Sequence, residues 1–208
     1  MALRPAEPSC ASRHVVRRAP LVSRGGSSNR DTAQPRRIVQ FHCSKCGTPH
    51  DAAALEPTFD APAAYYGVPE AARAQRTFLT SDKCGVRDAA DLCRQYFVRA
   101  VMPVPVRGEA HPCHRGVWVE VAPEVMRRID ELWDDPAQGA EPPLPARLAN
   151  GIAEYSGSLG LPGTLQLIDP KTRPSFYVGP ESGHDLHRIQ VEGVWPETVI
   201  EWIVARHA

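Results

Sequence analysis

The stretch GVWVEVAPEVMRRIDELWDD, Gly116–Asp135, changes its apolar period half-way, and that change decides the fold class. In the first half Val117, Val119 and Val121 alternate with Trp118 and Glu120, the period of two of a strand, with Glu120 on the wetter face. In the second half Val125, Met126, Ile129, Leu132 and Trp133 fall on one helical stripe, and Arg127, Arg128, Asp130 and Glu131 cover the other side. A strand running straight into a core-packing helix is the unit from which the rest is read.

Outward from it the elements stay mixed. Gln95–Val106 is aromatic and β-branched and reads as a strand that Pro103 and Pro105 finish at a sheet edge. Val68–Leu79 has a proline at its first turn and reads as a helix ending near Thr80. Residues 134–151 read as a loop, TLQLID (164–169) and PSFYVG (174–179) as two strands joined by a turn through Pro170 and Lys171, and Pro196–Ala208 as a final helix. Strands and helices without regular β-α-β alternation predict an α+β fold, a largely antiparallel sheet with flanking helices.

Composition narrows the classes. The 208 residues are 42% hydrophobic and 23% charged with a formal net charge of zero, so no whole-protein field draws in nucleic acid or membrane. The charge is unevenly spread. Residues 1 to 40 hold eight arginines against Glu7 and Asp31, a net of +6, which leaves the remainder acidic. We read residues 1–39 as a disordered basic leader, because scattered Pro, Ser and Gly leave too little apolar surface to offset ordering entropy, and residues 40–208 as one α+β domain. No apolar stretch follows Arg17 and Arg18 as an export signal requires, and no window reaches the 18 or so apolar residues of a membrane span, so the expected location is the cytoplasm.

Without an oxidising compartment the six cysteines are expected as thiols, some of them metal-bound. FHCSKCGTPH, Phe41–His50, carries the strongest chemical signal. Two thiolates three positions apart reach one zinc ion across a tight turn, and a glycine after the second supplies the left-handed residue that closes it. Zinc takes four ligands, so Cys43 and Cys46 need two partners; His50 and, from TSDKCG, Cys84 are the candidates. A thioredoxin-type pair would need a helix after Cys43, which Gly47 and Pro49 disfavour. Inert thiols are the remaining alternative.

Other polar residues have plainer readings. His111, Cys113 and His114 read as a loop, His184 and His187 lack the companions of a metalloprotease helix, and Cys93 reads as a small buried hydrophobe. Arg99 is a strand charge, with a carboxylate partner or a wet face, and Asp82 is either a partner for His50 or the cap of a turn.

The ordered blocks from Phe41–His50 through SDKC (81–84), YFVRAVMPVPV (96–106), GVWVEV (116–121), ELWDDP (131–136) and HDLHRIQVEGV (184–194) resemble the bacterial family known as domain of unknown function 2199, over about residues 40–200. The resemblance implies a cysteine at Cys84 beside the positions of Cys43, Cys46 and His50, hence a Cys3His zinc knuckle near the N-terminus of the folded body. It implies no activity. It departs at Cys113, His114 and Arg115, where the family carries an aromatic residue before its Gly-Val-Trp.

Three functional classes follow: a binding or interaction module with structural zinc, a zinc-dependent hydrolase with an open coordination position, and a nucleic-acid binder using the leader. The acidic body disfavours the last.

Overall fold

Two sheets form among the described residues, which are 40–42, 47–51, 57–88 and 94–207 of this computed structural model. The leader, and Cys10, Cys43, Cys46 and Cys93, lie outside them. The smaller sheet is a hairpin of β1 (Gln40–His42) and β2 (Pro49–Asp51), antiparallel, with His42 opposite Pro49. The larger runs in the order β3 (Thr77–Leu79), β4 (Lys83–Arg87), β5 (Arg94–Val104), β6 (Cys113–Val121), β7 (Leu144–Leu148), β8 (Pro162–Gln166), β9 (Ser175–Val178), each antiparallel to its neighbour. Val101 of β5 also pairs in parallel with Ser175 of β9, which closes β5 to β9 into a five-stranded barrel and leaves β3 and β4 as an extension of it. The fold is α+β; the sheet is mixed and closed.

Five α-helices surround it among the described residues: α1 (Ala63–Gly67), α2 (Glu70–Arg76), α3 (Pro123–Leu132), α4 (Asp185–Glu192) and α5 (Pro196–His207). The barrel interior takes Val98, Ala100, Met102 and Val104 from β5 and Val117, Val119 and Val121 from β6. α3 packs its stripe of Val125, Met126, Ile129 and Leu132 against this core, as its period predicts, and α4 and α5 add Leu186, Ile189 and Trp202. The opposite face of β4–β5–β6 is also covered. There Cys84, Val86, Phe97 and Trp118 pack under Val68 and the α1 and α2 residues Ala64, Tyr65 and Ala72.

Several expectations change. The helix expected to Thr80 ends at Arg76, and Thr77–Leu79 instead forms β3; the Thr77 hydroxyl donates to Arg73 O at 2.8 Å where the chain leaves the helix. The expected loop 134–151 contains β7, and the expected His-Cys-His loop contributes Cys113 and His114 to β6. Trp118 is fully buried, so the outer face of β6 is covered at that position, while Glu120 on the same face stays partly exposed, as the alternation predicts. β5 is central, not an edge. The N–H groups of Arg99 and Val101 point toward Asp82 O and Pro174 O, away from β6, so Pro103, on the same side, lacks its donor at a place where β5 diverges from β9.

Two seams of the barrel are incompletely laddered, and each is closed by a side-chain amide. β6 pairs with β7 only at Val119–Leu148 and Glu120–Arg147. Beyond that, Asn150 accepts from Trp118 N at 2.7 Å and donates to Ala61 O at 3.0 Å, while residues 57–59 bridge to Gly116. Gly116 is needed there, since an added Cβ would collide with the Thr58 side chain. At the β5–β9 seam Gln190 donates to Phe176 O at 2.9 Å and Pro103 O at 3.3 Å and accepts from Val178 N at 2.9 Å. Among the described residues no helix is long and apolar enough to cross a membrane.

Candidate functional site

The two strands of the hairpin bracket the Cys-Ser-Lys-Cys run. β1 ends at His42, directly before Cys43, and Gly47, directly after Cys46, has φ 69°. That is the left-handed residue a metal knuckle requires at this position, and glycine adopts it without a Cβ penalty. The return strand β2 then brings the backbone of His50 opposite Phe41. His42, Gly47 and His50 thus fall at one hairpin, while Cys43 and Cys46 themselves lie outside the described residues.

Cys84 occupies a different setting. It sits mid-strand in β4, opposite Phe97 of β5 and Leu79 of β3, is 0% exposed, and is a free thiol in the apolar cluster with Val68, Phe97 and Trp118. Burial pushes the thiol up to about 12, because a thiolate there would lose its hydration. Among the described residues no three of His, Cys, Asp and Glu converge on a common point.

The other polar residues singled out in the sequence carry structure. Arg173 Nε donates to Asp82 Oδ1 at 2.8 Å. Burial works against the Asp82 carboxylate, but hydrogen bonds from Ser81 and Arg173 and the charges of Arg173 and Arg99 outweigh it and hold the group below the usual range. Arg99 Nη2 donates to Thr58 Oγ1 at 3.0 Å, a hydroxyl rather than a carboxylate. His184 caps α4, its Nδ1 accepting from Leu186 N at 3.1 Å, and His187 Nδ1 meets Val178 O at 2.8 Å. His111 lines an open groove of about 320 Å³ with Glu109, Tyr177 and Gln190 beside the β5–β9 seam.

Sequence reasoning passed over one residue with an unusual setting. Arg115 continues the inward alternation of Val117, Val119 and Val121 and is 3% exposed. Its Nη2 donates to Glu154 Oε2 at 2.9 Å, and its guanidinium carbon lies 5.0 Å from the centre of the Trp202 ring. The alternation itself, run backwards from Val121 past Gly116, was the available signal.

A family model described as "Uncharacterized protein conserved in bacteria (DUF2199)" matches residues 42–194. The chain belongs to this family. No curated protein and no solved structure matches it. The DUF2199 match begins at the hairpin and takes in Cys84, Arg115 and Glu154, but stops before α5, so Trp202 comes from outside the matched span.

Proposed function

We propose that this DUF2199 protein is a cytoplasmic binding module whose hairpin is held by a structural zinc ion on Cys43, Cys46, His50 and Cys84. The observation that carries the reading is the left-handed Gly47, φ 69°, immediately after Cys46 in a hairpin that pairs His42 with Pro49. Strands of three residues each make a hairpin that is marginal in water by itself, so a metal that supplies folding energy suits it. The cytoplasmic assignment accords with the free thiol Cys84, which a reducing compartment preserves.

The test is the metal-to-chain ratio of the purified full chain by elemental analysis. About one zinc per chain is expected, lost in Cys43→Ser and Cys46→Ser. Protein that neither carries zinc nor takes it up removes the proposal.

The apolar setting of Cys84 favours a second reading, the zinc-dependent hydrolase. There Cys43, Cys46 and His50 hold the ion, Cys84 stays a core thiol, and water takes the open position. Cys84→Ser separates the two: the closed site loses its zinc, whereas the open one keeps it.

A further inference from the structure

We propose that the cavity at the β6–β7 seam is a binding site for a small organic monocarboxylate, with Arg115 as its anchor. The cavity measures about 380 Å³ and is lined by Phe59, Arg115, Gly151, Ala153, Glu154 and Ala205. That is within the size range of small-molecule sites, about 300–1,000 Å³. It exists because β7 leaves β6 after Leu148, and residues 57–59 with the loop from Asn150 fill the gap only in part.

Arg115 supplies the chemistry. Its Nε and Nη1 are buried and have no hydrogen-bond partner, while Nη2 alone is used by Glu154. Buried donors in native proteins are almost always satisfied, and orphaned donors on a cation are the costliest to leave so. The guanidinium is also fixed in place. The Trp202 ring lies 5.0 Å from its carbon, and Tyr155 packs edge-on against that ring with centroids 6.1 Å apart. A donor set that is rigid, desolvated and unused is preorganised for an oxygen acceptor, and carboxylate is the acceptor that guanidinium matches best in shape and charge.

The remaining lining narrows the class. Among the described lining residues Arg115 is the one cation and Glu154 the one anion, so the lining is neutral and holds no second cation to balance phosphate or a dicarboxylate. Phe59, Gly151, Ala153 and Ala205 offer no polar side chain and suit a short hydrocarbon or aromatic body.

The test titrates the full chain with benzoate and hexanoate, with benzamide and inorganic phosphate as controls, following tryptophan fluorescence and calorimetry. Saturable binding of the two carboxylates is expected, with neither control binding. Arg115→Gln weakens it by about tenfold or more, the equivalent of a lost charge-assisted hydrogen bond. Because Arg115→Gln also alters the core, Ala153→Trp provides a second arm: Ala153 is exposed at the cavity mouth, so filling it blocks binding while the melting temperature stays unchanged. Benzoate that fails to saturate the wild type, binds Arg115→Gln or Ala153→Trp as tightly, or is matched by phosphate overturns the assignment. None of these residues belongs to the zinc set, so the result stands apart from the metal content.

Discussion

Cys84 faces Phe97 across the β4–β5 ladder, and its thiol is enclosed with Val68 and Trp118 in a wholly apolar cluster. A fourth zinc ligand drawn from this place has to give up a proton that burial holds to about 12. Zinc binding at pH 7 to the full Cys3His set therefore releases about three protons per chain, and binding to the hairpin ligands alone about two. Calorimetry in buffers of differing ionisation enthalpy counts them.

If the hairpin holds zinc as proposed, removing the ion acts first there. In the presence of a strong chelator the amides of β1 and β2 are expected to exchange freely with solvent, while those of β5 and β6 keep their protection, because the barrel core has its own apolar packing. Loss of protection throughout the barrel would mean that the metal supports the whole domain.

Asn150→Ala leaves Trp118 N and Ala61 O without their buried partners. A cost of about 2–4 kcal/mol in urea denaturation follows from two such losses. Gln190→Met strands Val178 N, Phe176 O and Pro103 O at the other seam and is expected to cost a similar amount.

Gly116→Ala forces a methyl group into the Thr58 side chain. The expected destabilisation is about 1–3 kcal/mol, the usual range for overpacking. Combined with Thr58→Gly, the loss should be smaller than the sum of the two single changes, since the second substitution removes the obstacle met by the first.

Arg128 grips Glu141 with two bonds, Nε to Oε1 at 2.9 Å and Nη2 to Oε2 at 2.7 Å. The hydrogen bonds and charge of Arg128 hold the Glu141 carboxyl below the usual glutamate range. A depressed folded value gives stability that is present above the unfolded value, about 4.3, and is lost as pH falls through the folded one. Carboxyl NMR titration should place Glu141 below an ordinary glutamate, and Arg128→Gln should return it there.

Legibility in the sequence followed periodicity. α3, β9, α5 and the Gly116–Val121 part of β6 were readable because each carries an apolar pattern of its own, whereas the expected strand 164–169 meets β8 only at Thr164–Gln166. β7 was not, because Pro143 and Pro145 mask the inward Ala146 and Leu148 in a segment that looks like loop. β3 was hidden by good helix formers running into it. Closure of the barrel joins Val101 to Ser175, and no local pattern announces a pairing so distant. In the candidate site the left-handed conformation of Gly47 followed from its place after Cys46, whereas Arg115 stood in a strand read only from Gly116 onward. A charge facing inward breaks the very pattern used to find inward positions.

The two amide-closed seams divide the barrel along a plane. On one side β5 and β6 share a nine-pair ladder from Tyr96–Val121 to Val104–Cys113; on the other β7, β8 and β9 are joined by ladders of four pairs each. Between these halves run only two pairs at one seam and one at the other. The ring is thus a clamshell whose valves are stitched at Asn150 and Gln190. Both open hollows lie on the parting line, the Arg115 cavity at one lip and the His111 groove at the other. A guest seated in either one would touch both valves at once and act as a rivet between them.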